Sequence, residues 1–314
     1  MKGAASFCTV CRIYTPKGIC YMKKKGNVFV YLVLVAAVLA TKVLGLVRNM
    51  LLSANYGTGI EASAFTAVSN LPLIVFDVTF GTAISAAFVP VFNEKLTNDG
   101  ERGANRFASN FLNIVLLFSA VLVALGIIFP KSAVMLVAGG FSSDAQALSL
   151  ASSLMRIIMP IICFACGTSI FVGILQSYGE FIAPSLVSLF SNLSMIVYLL
   201  FLNGRYGIQG LAVAFCVGWL FQFLFLVPFL KKKRFHYSPG LDFKSPDIKK
   251  VAVLTLPLFV SALAQPINQL ISSNLSSGIS ESGVATVNYA YNAYFIVAGV
   301  FSYALTNMFF PEMS

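Results

Sequence analysis

Apolar positions in this chain gather into eight long runs, near 28–49, 62–92, 107–129, 147–176, 182–203, 208–230, 250–274 and 284–310. A hydrocarbon layer of ~30 Å takes about 20 apolar residues to cross as a helix, and every run meets that length. The pattern predicts an all-α, polytopic membrane protein with about eight transmembrane helices, since a helix satisfies its backbone groups within one lipid-embedded segment. Runs longer than a crossing predict tilt, a kink or a projecting end. Pro72, Pro160, Pro184, Pro257 and Pro266 fall within or at the starts of these runs, where neighbouring helices take up the freed carbonyls. Segment 131–143 (KSAVMLVAGGFSS) is too short to span and reads as an interfacial or re-entrant piece.

Polar positions inside the runs are also patterned. In the second run Ser63, Thr66, Asn70, Asp77, Gly81 and Ser85 share a stripe roughly 100° wide at 3.6 residues per turn. Ser261, Gln265, Asn268 and Ser272 repeat this in the seventh run. Asn288 and Asn292 lie one turn apart in the eighth, near Tyr291 and Tyr294. Serines, threonines and glycines in such stripes ordinarily pack helices together. Asn70, Gln265, Asn268 and Asn292 are different, because each amide needs several hydrogen-bond partners. They point to a wet cavity between two bundles, suited to a sugar-bearing or polar head group. Ionisable residues inside a span cost about 2.5–3.5 kcal/mol and normally face a cavity or a partner. Lys42 sits well inside the first run and Asp77 deep in the second, which makes them candidates to pair. Arg48 and Arg156 lie nearer an end and can snorkel.

Charge turns these runs into a topology. Thirteen lysines and arginines fall in three stretches: Lys23–Lys25; Lys95, Arg102 and Arg106; and Lys231–Arg234 with Lys244, Lys249 and Lys250. The connections on the opposite side carry only Lys131 and Arg205. Basic loops stay cytoplasmic, so eight crossings from a cytoplasmic N-terminus place all three stretches inside. A composition of 58% hydrophobic and 10% charged residues, with mean hydropathy +0.85, excludes an ordinary soluble enzyme. The net charge of +10 then reads as topogenic charge against anionic lipid, with no nucleic-acid partner. Cys163, Cys166 and Cys216 behave as small hydrophobes inside apolar runs. Cys8 and Cys11 have metal-like spacing without a second pair, so no metal site and no cofactor are expected.

The expected organisation has four parts. Residues 1–21 form an atypical, disordered N-terminal extension, since Met22-Lys23-Lys24-Lys25 opens directly onto the first helix and reads as the native start. Residues 22–230 form a six-helix lobe, 231–249 a basic cytoplasmic loop, and 250–314 the first two helices of a second lobe. A faint repeat supports this division. Gly59-Ile60-Glu61-Ala62-Ser63 recurs as Gly278-Ile279-Ser280-Glu281-Ser282, and Ala87-Phe88-Val89-Pro90 as Met308-Phe309-Phe310-Pro311. The implied unit is six helices in parallel orientation, which makes the sequence an incomplete transporter that stops two helices into its second unit.

Several stretches, in order and spacing, resemble the MurJ/MviN family of lipid II flippases, within the multidrug/oligosaccharidyl-lipid/polysaccharide exporter superfamily. They are KVLGLVRNMLLSANYGTGIEASAF (42–65), the Leu-Pro at 71–72, ISAAFVPVFNE (84–94), LMRIIMPII (154–162), GILQSYGEFIAPSLVSLFSNLSMI (173–196) and VGWLFQFLFLVPFLKKK (217–233). The resemblance covers residues 27–314. It implies fourteen helices in two lobes around a cationic cavity, in a bacterial cytoplasmic membrane. The diphosphate-linked head group would cross through the cavity while its polyprenyl tail stays in lipid, with no bond made or broken. Lys42 stands where the family usually has arginine, and Arg48 matches an arginine directly. Lysine keeps the charge but loses the bidentate fork. The arginine pair usual in the second helix aligns with Phe76 and Asp77, the eighth-helix arginine with Asn292, and an acidic position with Ser63, close to Glu61. The expected substrate-binding set is Lys42, Arg48, Asn70, Asp77, Gln265, Asn268 and Asn292. The expected partners are a lipid II-like glycan, membrane lipids and a coupling cation. Competing readings are a flippase for another lipid-linked glycan, a cation-coupled exporter using Asp77, and an inactive truncated paralogue.

Overall fold

The computed structural model describes residues 27–294, apart from Thr82, Arg234, Glu281 and Ala293. The extension at 1–21, the first basic stretch, Cys8 and Cys11, and the second half of the repeat at 308–311 lie outside the described residues. Among the described residues every regular element is a helix. The helices are α1 Asn27–Tyr56, α2 Ile60–Phe76, α3 Val89–Asn98, α4 Gly100–Ile128, α5 Pro130–Val137, α6 Ala145–Ile158, α7 Ile161–Ser177, α8 Ile182–Phe201, α9 Asn203–Lys232, α10 Pro246–Ala262 and α11 Ala264–Ile279, with α12 at 283–292.

Six helical stretches among the described residues are long and apolar enough to cross a membrane: Ala36–Tyr56, Ile60–Gly81, Gly100–Ile128, Ala145–Ser177, Ile182–Phe201 and Asn203–Lys232. They coincide with the first six expected crossings, and the protein is a multi-pass, all-α membrane protein. The seventh expected crossing is two helices, α10 and α11, that meet at Leu263. Pro266 explains the break, because it lacks an N–H and its ring collides with the carbonyl four residues earlier, at Ala262. Pro160 divides the fourth crossing into α6 and α7 in the same way. The eighth crossing begins as α12, and its remainder lies outside the described residues. The short apolar segment after the third crossing forms α5 and a tight 3-10 turn, Gly139–Ser143.

The second crossing departs most from its sequence pattern. After Phe76 the backbone widens into π-helical turns, Asp77–Gly81 and Ala83–Phe88, before α3 resumes the ordinary winding. Thr79 donates its hydroxyl to the Val75 carbonyl at 2.6 Å, and Pro90 offers no N–H where the α winding returns. The 3.6-residue stripe expected through Gly81 and Ser85 therefore ends at Asp77. Wide turns of this kind recur at functional sites.

The core of the first lobe surrounds α6 and α7, where Leu154, Met155, Ile158, Ile161, Ile162, Ile170 and Ile174 are fully enclosed. Around them α1 packs on α8, α8 on α9, α9 on α7, α4 on α7, and α2 on α6. Phe88 anchors the basic end, stacking on Phe92, Phe107 and Phe111 with centroids 5.7, 5.5 and 4.9 Å apart. Such pairs contribute about 0.5–1.5 kcal/mol each beyond area burial. Helix α1 is peripheral, and its Val38, Leu39, Val43 and Met50 are exposed on the same side as Lys42.

Candidate functional site

Helices α2, α11 and α12 converge where the first lobe meets the hairpin that follows it. Between them lies a cavity of about 90 Å³, whose wall includes Asn70, Asn268, Ser272, Ser276, Asn288 and Tyr291. A space of that size has room for a few waters beside the amides and hydroxyls of its wall. The Ser272 hydroxyl donates to Asn268 Oδ1 at 3.3 Å, and the Asn292 amide donates to Asn288 at both its carbonyl (2.9 Å) and Oδ1 (2.7 Å). Two of the expected site residues, Asn70 and Asn268, thus share one wall, and Asn292 joins through Asn288. The Gln265 side chain lies outside the described residues.

The charged members of the expected set stand apart from this cavity. Lys42 is exposed on α1, and Asp77 is exposed at the start of the π-helical stretch. Arg48 is half-buried, its Nε and Nη2 donating to Asn49 Oδ1 at 3.2 and 3.0 Å. Lys42 and Arg48 are six positions apart, which is about 9 Å along the axis and a third of a turn around it. Lys42 does not pair with Asp77 in the structure. The ion pairs among the described residues are Lys95–Asp99, Lys95–Asp247, Lys233–Glu180 and Lys250–Glu94, all at the basic end.

Two seals hold the α10–α12 segment against the first lobe. At the end opposite the basic loops, Gly139 N donates to Asn274 Oδ1 (2.8 Å), Gly140 N to Ser277 Oγ (3.0 Å), and Asn274 Nδ2 to the Leu136 carbonyl (2.7 Å). Ala285 N donates to Ser63 Oγ at 3.4 Å, and Tyr289 OH to the Gly57 carbonyl at 3.3 Å. The loop before α2 and the start of α2 therefore meet α12 directly. Gly140 comes so close that a Cβ there would collide with the Ser277 carbonyl and Gly278 N. At the basic end the tie is electrostatic: Lys95 Nζ lies 2.8 Å from Asp99 and 3.2 Å from Asp247, and Lys250 pairs with Glu94. Hydrogen bonding to Asp99, then to Asp247, raises the Lys95 pKa above its ordinary value.

Sequence reasoning missed both seals. The Gly139-Gly140 doublet and the Asn-x-x-Ser of 274–277 were the available signals for one. For the other they were acids at Glu94, Asp99 and Asp247 among the lysines.

A family model for the lipid II flippase MurJ matches residues 52–314. A probable lipid II flippase MurJ of Buchnera aphidicola subsp. Baizongia pistaciae is 26% identical over 280 residues, covering 87% of this chain and 54% of that protein. A solved lipid II flippase MurJ in an inward closed conformation superposes with a TM-score of 0.72 at 26% identity, covering 86% of this chain and 56% of that one. An inward-facing multidrug resistance MATE family transporter shares the fold alone, with a TM-score of 0.62 at 19% identity, over 80% of this chain and 57% of that one. The chain spans about half the length of the curated relatives it matches. Matching the family model over most of its length, the chain belongs to the lipid II flippase MurJ family of membrane transporters.

Proposed function

We propose that these residues form the first lobe, and the opening of the second, of a flippase that carries lipid II from the cytoplasmic to the outer leaflet of a bacterial inner membrane. The observation that supports the reading is the cavity between the first lobe and the hairpin that follows it, where amides and hydroxyls from α2, α11 and α12 meet. A hydrated head group needs such a polar surface while its lipid tail remains in hydrocarbon. The N-terminus and the basic loops face the cytoplasm, following the charge asymmetry. The seal at the opposite end is then the outer one, and the ion-paired seal the inner one. Nothing in this cycle makes or breaks a bond; it alternates which seal is open.

Lys42 and Arg48 supply positive charge for the diphosphate. The family's second- and eighth-helix arginines are replaced by Phe76, Asp77 and Asn292, so each remaining charge counts for more. A charge-assisted contact is worth about 1.5–3 kcal/mol, or roughly ten- to a hundredfold in affinity. The test is complementation of a strain depleted of its own lipid II flippase, using the complete reading frame that encodes this sequence. Growth is expected with the unaltered sequence and with Lys42→Arg. It is expected to fail with Lys42→Ala or Arg48→Ala at unchanged membrane abundance. Failure of the unaltered sequence would move the assignment to a different lipid-linked glycan, the reading that the lost arginines favour.

A further inference from the structure

The connection between the two lobes is bound along the outside of α4 in a way that a solvated loop does not require. Asn110, nearly buried on α4, takes both backbone groups of Asp242: its Nδ2 donates to the carbonyl at 2.9 Å and its Oδ1 accepts from the N–H at 2.7 Å. Asn113 Nδ2 donates to the Gly240 carbonyl (2.8 Å) while its Oδ1 accepts from the Tyr237 hydroxyl (2.8 Å). Ser238 N donates to Ser109 Oγ at 3.0 Å. Ser109, Asn110 and Asn113 of α4 therefore hold four backbone groups of the irregular 238–242 segment.

Depth gives this arrangement its meaning. Helix α4 has 29 residues, about 43 Å at ~1.5 Å each, against a hydrocarbon layer of ~30 Å. Counting about 20 residues back from Ile128, at the end away from the basic loops, puts the other hydrocarbon boundary near Ser109. Asn110 and Asn113 then lie at that boundary, and Phe118 lies within the apolar layer. Phe243 packs edge-on against Phe118 with centroids 6.3 Å apart, and Phe118 itself is 53% exposed on the outer face of the lobe. Tyr237, Leu241 and Phe243 are each about half exposed on the same loop. Irregular backbone near membrane depth needs partners for its polar groups, and the clamp supplies four of them: at the Ser238 N–H, the Gly240 carbonyl and both groups of Asp242. Exposed Lys231, Lys232, Lys244 and Lys249 flank the apolar tip.

We infer that the 235–245 loop is an interfacial anchor that inserts Tyr237, Leu241 and Phe243 into the leaflet beside the basic loops. Its lysines hold anionic lipid head groups there. An apolar tip ringed by lysines is the combination that binds an anionic bilayer surface, through buried area together with charge. The inference rests on the geometry of α4 and its loop and is independent of the transported substrate.

The full chain in vesicles provides the test. Trp219→Phe removes the single native tryptophan, and Leu241→Trp or, in a second variant, Tyr237→Trp reports the loop. Emission from either site is expected to be blue-shifted and quenched by lipids brominated on their acyl chains. Brominated phosphatidylglycerol is expected to quench more strongly than brominated phosphatidylcholine. Lys244→Gln and Lys249→Gln should each reduce that preference roughly fivefold, the factor for one lysine at an anionic surface. Water-like emission without quenching at both sites overturns the inference. So does blue-shifted emission without quenching, which would mean that protein rather than lipid covers the loop. Equal quenching by the two lipids overturns the anionic assignment.

Discussion

Replacing Gly140 with alanine should open the seal at the end away from the basic loops. The added Cβ would overlap the Ser277 carbonyl and Gly278 N, which are backbone atoms and cannot rotate aside. Overpacking of this kind costs about 1–3 kcal/mol. Moving the 139–143 turn away from α11 also stretches the bonds from Gly139 to Asn274 and from Gly140 to Ser277, at about 0.5–1.5 kcal/mol each. The closed state should therefore lose at least about 2 kcal/mol, a factor of roughly thirty in its population relative to open forms. A single cysteine at Ser273, on the cavity wall, reads this out in a background cleared of native cysteines. Its labelling by a membrane-impermeant thiol reagent, added from the face opposite the basic loops, should accelerate about tenfold or more in Gly140→Ala. Gly204→Ala, where a Cβ meets open space, is the control and should label at the unaltered rate. An unchanged rate in Gly140→Ala would show that the contact does not seal the cavity.

The ion-paired seal should behave differently. Lys95→Gln or Lys250→Gln should cost no more than about 1 kcal/mol, and the effect should shrink as salt is raised, read as labelling of Ser273→Cys from the basic side. Because the Lys95 pKa is raised, its contribution is fully present below the ordinary lysine value and is lost only as pH rises through the higher, folded value. Labelling should therefore be flat between neutral and mildly alkaline pH, and a rise there would contradict the assignment. Single cysteines at Asn98 and Ser245 should resist impermeant reagents in intact cells, and rapid labelling at either would reverse the proposed orientation. Asn274→Ala removes two bonds across the seal at once and should raise Ser273→Cys labelling about fivefold or more; no change would place the seal's strength elsewhere.

Much of the fold was legible because lipid leaves few options. Run length alone located the first six crossings, and two of the prolines, Pro160 and Pro266, fall at helix breaks, while Pro72 and Pro257 stay inside continuous helices. The amide stripes pointed to Asn70 and Asn268, which the fold brings to one cavity wall, because an amide inside an apolar segment has to find polar company. The π-helical turns were not legible, since they arise from small backbone adjustments around Thr79 and Pro90 and carry no periodic signature. The seals were equally hidden. A seal depends on which loop lands on which helix, and Gly139 and Gly140 display in sequence only an absence of side chains. Lys42 and Asp77 illustrate the opposite error: two charges at comparable depth invited a pair that the helix arrangement does not form.

The widened turns of Asp77–Gly81 and Ala83–Phe88 give the second crossing slack in its residue count. An α-helix with one residue deleted rotates everything beyond the deletion by about 100°. A π-turn already holds one residue more than an α-turn, so losing one converts it to the ordinary winding and leaves the flanking registers intact. The polar half around Asn70 and the aromatic half around Phe88 are thus free to drift independently through evolutionary insertion and deletion, on a helix that must answer to both ends of the membrane.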